Sequence, residues 1–151
     1  MTRTNLFLDD LAPGDRFESR GMTLTEADII TFARAWDPQP FHIDAEAARE
    51  SPFGGLIASG FQTLAAAFRV LYQTGFLVDA SLGGPGIDEL RWTAPVRPGD
   101  TLSTIATVKE VTPSRSKPDR GVLRLGVEAR NQRGETVMTC TFIILVKRRP
   151  G

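Results

Sequence analysis

The sequence predicts an α+β fold in which a curved, mainly antiparallel sheet wraps around one long central helix. Three observations carry this expectation. From Phe61 to Thr74 apolar residues occupy nearly every side, including Phe61, Leu64, Ala67, Phe68 and Leu71. A helix without a broad polar face is normally buried. The period then changes to two: Leu123, Leu125, Val127 and Ala129 alternate with Arg124, Gly126, Glu128 and Arg130, the pattern of a half-buried strand. Finally, Leu102 to Val111 and Thr136 to Lys147 are rich in Thr, Val and Ile, which suit a pleated surface.

Pro13-Gly14-Asp15 forms a turn that opens a strand near Arg16 to Leu24. Thr25 with Asp28 makes a variant capping box, with Asp in place of the usual Glu or Gln, and starts a helix. Ile29, Ala33 and Trp36 continue it at helical spacing until Pro38 stops the pattern. The two prolines, Pro38 and Pro40, hold the segment from Asp37 to His42 extended and stiff. Asp44 caps a short helical turn from Ala45 to Arg49, and Phe53-Gly54-Gly55 is a loop. Gly75 stops the central helix. Pro98-Gly99-Asp100 turns the chain into the strand at Thr101, and Asn131 to Glu135 closes the last hairpin. The total is about five strands around one helix.

The chain has 151 residues, which fits one domain spanning residues 1–151. At that length roughly 70% of the unfolded surface can be buried, so the core needs no covalent or metal staple. The single cysteine, Cys140, excludes an intramolecular disulfide and a zinc site built from several Cys and His. With 18 basic and 18 acidic side chains the formal net charge is +0, which argues against nucleic acid or an anionic membrane as partner. The N-terminus lacks the apolar region of a secretory signal, and no run approaches the length of a membrane span. The expected location is the cytoplasm. His42 is the one histidine, so any histidine chemistry runs through it.

The most informative stretch is Trp36-Asp37-Pro38-Gln39-Pro40-Phe41-His42-Ile43-Asp44. Its five-residue separation of Asp37 from His42 spans at most about 17 Å, and a turn brings the two side chains much closer. A carboxylate facing an imidazole can hold a water, take one of its protons and return a proton elsewhere. The competing reading makes Asp37 a turn residue and His42 a structural histidine. Leu56 to Phe61 is the second feature. Helix N-termini carry unpaired N–H groups, and Gly60 there lets a ligand carbonyl approach the backbone. The alternative is an N-cap serine, Ser59, followed by a glycine needed only for packing. Arg115, Lys117 and Arg120 read as solvated surface, and Lys147-Arg148-Arg149 as a frayed tail. Cys140 sits among alternating apolar residues and reads as core.

Asp37-Pro-Gln-Pro-Phe-His42-Ile-Asp44 followed by Phe53-Gly-Gly-Leu-Ile-Ala-Ser-Gly60 resembles the hydratase motif of the MaoC-like dehydratases, a family that includes the R-specific enoyl-CoA hydratases. Leu11 to Phe17 is similar to the family's opening, Asp88 to Trp92 with Pro95 to Asp100 to its central strand and turn, and Asn131 to Glu135 to its last hairpin. The resemblance implies a hotdog fold around a helix from Gly60 to Thr74, paired into a homodimer or larger homo-oligomer. It also implies an acyl-CoA substrate, no cofactor, Asp37 and His42 as the catalytic acid and histidine, and Gly60 as the backbone donor to the thioester carbonyl. Trp36 replaces a small residue, Gln39 an Asn and Ser59 a His common in the family. With Phe41, these three are assigned to the substrate pocket. The implied activity is hydration of an enoyl-CoA or dehydration of a 3-hydroxyacyl-CoA. A hotdog thioesterase and a non-catalytic acyl-CoA-binding partner subunit are the alternatives.

Overall fold

The alternating second half of the chain becomes a sheet bent around one helix in the computed structural model, which describes residues 3–151. Two short strands, β1 (Arg16–Glu18) and β2 (Met22–Thr23), precede three helices, α1 (Glu26–Trp36), α2 (Pro40–Ile43) and α3 (Ala45–Glu50). The long helix α4 (Gly60–Tyr72) follows, then β3 (Gly86–Trp92), β4 (Thr101–Pro113), β5 (Arg120–Arg130) and β6 (Thr136–Lys147). The sheet has six strands in the order β1-β4-β5-β6-β3, with β2 also paired to β4. Every pairing is antiparallel. This is the α+β layout expected from the periodicity, with one more strand.

Register decides which side chains meet the helix. Val108, Leu125 and Phe142 stand in line across β4, β5 and β6, as do Ala106, Val127 and Cys140. All six are buried, in one core with Ala67 and Leu71 of α4. Burying a side chain of Val, Leu or Phe size contributes about 1.5–3 kcal/mol relative to exposure, so this inner face holds the fold. Thr104 is the polar member of the same β4 row, and its hydroxyl donates to the Ala67 carbonyl at 2.9 Å, tying sheet to helix. Burial in this core pushes the Cys140 thiol up to about 11, well away from a reactive thiolate.

Five expectations need correction. The strand from Arg16 to Leu24 is two strands, because at Ser19 the hydroxyl accepts from the Thr104 N–H at 2.8 Å, although the Ser19 N–H still donates to the Thr104 carbonyl. The segment before His42 is not extended throughout: Pro40 opens α2, where its fixed φ and missing N–H suit the first helical turn. The helix α4 is buried on one side only, since the sheet covers one face and leaves Phe61, Phe68 and Tyr72 exposed. Asp88 to Trp92 lies in β3, an edge strand rather than an interior one, with a register shift between Asp88 and Arg91. The basic tail is tied down: Lys147 closes β6, Arg148 pairs with Asp9 at 2.9 Å, and Arg149 pairs with Asp10. Among the described residues, no helix is long and apolar enough to cross a membrane.

Candidate active site

Four short segments converge at the head of α4. The first is the end of α1. The Thr25 hydroxyl accepts from the Asp28 N–H at 3.1 Å while the Asp28 carboxylate accepts from the Thr25 N–H at 3.0 Å, so the box seen in the sequence fixes where α1 begins. The helix ends at Trp36, and Asp37 departs from helical geometry with φ −156° and ψ 71°. The Gln39 N–H then donates to the Asp37 carbonyl at 2.8 Å and the His42 N–H to the Gln39 carbonyl at 3.0 Å, which folds the Pro-Gln-Pro segment back on itself.

That fold-back brings the two side chains together. Asp37 Oδ2 lies 3.2 Å from His42 Nε2, with the side chains 11% and 5% exposed. The other ring nitrogen, Nδ1, lies 2.7 Å from the Ile57 carbonyl. Because a carbonyl only accepts, Nδ1 carries a hydrogen and the ring is oriented from behind. Phe41 packs edge-on against His42, with ring centroids 4.5 Å apart.

Asp37 has two further partners. Gln39 Nε2 donates to Oδ1 at 2.8 Å, and the Ser59 hydroxyl donates to Oδ2 at 2.7 Å. Burial pushes the Asp37 carboxyl up, but the hydrogen bonds from Gln39, Ser59 and His42 outweigh it and hold the group below its ordinary value. Ser59 also caps α4, accepting from the Phe61 N–H at 3.2 Å.

Gly60 is the first residue of α4, where backbone N–H groups have no partner inside the helix. The Trp92 indole N–H donates to the Gly60 carbonyl at 2.9 Å, and the ring packs close against the glycine. A Cβ built on Gly60 meets Trp92 Cε2 at 2.4 Å, so a side chain here collides with the indole. The first peptide of α4 is therefore clamped from β3.

A cleft of about 420 Å³ opens over this cluster. Asp37, Gln39, His42 and Gly60 line it, together with Phe61 and Trp92. Trp36, Phe41 and Ser59 do not. Trp36 is 74% exposed, Phe41 lies behind His42, and Ser59 is fully buried behind Asp37. Phe61 and Trp92 are wall residues that the motif left out. Their signal was the aromatic residue directly after Gly60 and the indole in the Asp88 to Trp92 piece. Among the described residues no group of three or more His, Cys, Asp or Glu is arranged to hold a metal ion.

Residues 10–130 match the model of the MaoC like domain. The chain belongs to the MaoC-like dehydratase family. A MaoC-like dehydratase from Rhodospirillum rubrum has a crystal structure 47% identical in sequence, with a TM-score of 0.90 over 97% of this chain and 99% of that one. YdeM of Bacillus subtilis is 34% identical over 141 residues, 93% of this chain and 99% of its own length. The (R)-specific enoyl-CoA hydratase of Rhodospirillum rubrum is 31% identical over 117 residues, covering 72% of this chain and 74% of the relative. The MaoC-like fold is thus shared across nearly the whole chain, and the family is one of hydratases and dehydratases.

Proposed function

We propose that this chain is a hydro-lyase that adds water to a trans-2-enoyl-CoA, or removes it from the corresponding 3-hydroxyacyl-CoA, with Asp37 and His42 as its proton-transfer pair. The 3.2 Å approach of Asp37 Oδ2 to His42 Nε2 beside an open cleft is the observation that carries this reading.

The chemistry needs three things. A thioester carbonyl must be polarised, because charge moves onto its oxygen as the β-carbon accepts a water oxygen. In this reading the Gly60 N–H, at the positive end of α4, supplies that polarisation. The water must lose a proton as its oxygen bonds to the β-carbon, and the α-carbon must gain one. Asp37 and His42 stand close enough to hold the same water and to exchange a proton directly afterwards. Nothing is oxidised or reduced in the sum, so the reading calls for no redox cofactor. In this reading the acyl chain runs along the uncovered face of α4, where Phe61 and Phe68 are exposed, toward a separate recess lined by Leu71, Tyr72, Ile87 and Phe142.

The same reading makes the protein a homodimer. β3 is an edge strand, and beside it Phe61, Phe68, Tyr72, Ile87 and Trp92 are all exposed. An unpaired edge next to a row of large apolar side chains is normally covered by another chain.

Spectrophotometric assay of the purified chain with trans-2-enoyl-CoA substrates of several lengths tests the activity. The expected result is loss of the conjugated enoyl absorbance with the thioester intact. Release of free thiol instead would make the protein a thioesterase, and no reaction at any chain length would sink the assignment.

A further inference from the structure

Asp37 carries more hydrogen-bond donors than a proton-transfer pair by itself requires, and two of them come from residues where the motif departs from the family's usual choice. With a hydrogen fixed on Nδ1 by the Ile57 carbonyl, a neutral His42 ring would present a lone pair at Nε2. That lone pair would face a carboxylate lone pair at 3.2 Å, which is repulsive. A proton between the two atoms would turn that repulsion into a hydrogen bond. Where that proton rests depends on what else touches Asp37.

The remaining contacts all favour the ionised carboxylate. The Gln39 amide nitrogen can only donate, and it meets Oδ1 at 2.8 Å. The Ser59 hydroxyl is committed as well: its oxygen accepts from the Phe61 N–H, which leaves its one hydrogen for Oδ2 at 2.7 Å. Ser59 is fully buried, so no bulk water competes for that hydrogen, whereas Gln39 is exposed and its contact is the weaker of the two. The groups facing Asp37 are Gln39 from the α1–α2 turn, His42 from α2 and Ser59 from the head of α4. Of these, His42 is the one with an ionisable side chain.

We infer that Ser59, seconded by Gln39, is a positioning residue that holds Asp37 as a carboxylate turned toward His42 and thereby leaves the transferable proton on His42 Nε2. Its catalytic consequence rests on the hydro-lyase reading. In the hydration direction the Asp37 carboxylate takes a proton from water as the water oxygen bonds to the β-carbon. The π electron pair shifts to the α-carbon, which takes the proton from His42 Nε2. The proton on Asp37 then crosses to His42, and the net change is addition of one water. Ser59 touches neither the cleft nor, therefore, a substrate in it. It acts through Asp37.

Two measurements on the purified chain test this. Carbon-13 NMR follows the Asp37 carboxyl through a pH titration without any substrate. Ser59→Ala is expected to move its titration upward by about one pH unit, and Gln39→Met to move it the same way by less. Ser59→Thr, which keeps the hydroxyl, restores the wild-type titration. Because Ser59 also caps α4, Gln39→Met separates loss of the Asp37 contact from loss of the cap, and it alone decides if Ser59→Ala fails to fold. With crotonyl-CoA, each variant is expected to lose about tenfold in kcat with KM within about twofold, and the acidic limb of the rate profile moves to higher pH. An unmoved Asp37 titration in both variants would overturn the inference. So would a raised KM at unchanged kcat, which returns both residues to substrate binding. If the wild-type protein hydrates no enoyl-CoA, the activity is wrong, yet the NMR titration still decides whether Ser59 and Gln39 hold Asp37.

Discussion

The two ends of α4 are built on different physics. At its head, Asp37, His42, Ser59 and Gln39 form a network in which each named donor meets an acceptor between 2.7 and 3.2 Å away. Toward its tail, Phe68, Leu71, Tyr72, Phe76, Ile87 and Phe142 enclose an apolar recess of about 290 Å³. Hydrogen bonds are directional and fail over fractions of an ångström, while apolar contact is proportional to area and indifferent to angle. The head is therefore suited to fixing reacting atoms. The tail is suited to accepting chains of different length. One rigid helix spans both, so under the proposed function the reacting carbonyl and the end of an acyl chain are measured against the same rod.

Substitutions at each end break that contrast in different ways. The largest effect is expected at the head. His42→Ala should lower kcat by about 10³-fold with the circular dichroism spectrum unchanged, since a positioned proton-transfer group typically contributes 10²–10⁴-fold. Retained turnover would show that the histidine only packs. Next comes Gly60→Ala, whose new methyl group lies 2.4 Å from the Trp92 ring. Overpacking of this kind destabilises by about 1–3 kcal/mol, read as a lowered Tm, and a Trp92→Ala background should recover most of it. At the tail, Phe68→Ala should shift kcat/KM toward longer acyl chains by about tenfold, because a few methylenes in an apolar pocket are worth only about 1–3 kcal/mol. A fall in kcat equal to that of His42→Ala would erase the distinction between the two ends.

The smallest effect concerns acid. Asp37 is held below its ordinary value in the folded chain. A carboxyl with a depressed folded-state value contributes stability that is complete above its unfolded value and disappears as pH falls through the folded one. Urea denaturation should therefore find the wild type and Asp37→Asn converging in stability as pH drops below the usual aspartate range. A constant gap down to the acid limit would show that the network does not favour the ionised form.

Most of the sheet was legible because register and burial agree with a period of two from Leu123 to Arg130, and a half-buried strand needs nothing else to announce itself. β3 shows no such period, because it is an edge strand in which no residue is fully buried, and only the resemblance placed a strand at Asp88 to Trp92. The tail was misread for a related reason. Lys147-Arg148-Arg149 looks solvated until Asp9 and Asp10 arrive from the other end of the chain, and spacing along the sequence carries no sign of that meeting. At the site, Asp37, His42 and Gly60 were visible in a short motif. What the motif concealed was that Ser59 faces Asp37 instead of the cleft, and that Gln39 bonds Asp37 while lining the cleft, because both depend on how the Pro-Gln-Pro turn folds back. Two prolines specify stiffness, and the helix that Pro40 opens decides where the stiffness points.

The position of β6 has a consequence for how the protein is made. This strand is the last of the described chain to leave the ribosome, yet it lies inside the sheet, between β5 and β3. Until Thr136–Lys147 has emerged, β3 has no neighbour, and the half of the core that faces Met138, Cys140 and Phe142 has nothing to close on. Pairings that join distant stretches must wait for both partners, so assembly is concentrated after synthesis of this segment instead of being spread along it. During translation, α4 spends that interval against an incomplete sheet of β4 and β5, the kind of partly open apolar surface that molecular chaperones bind.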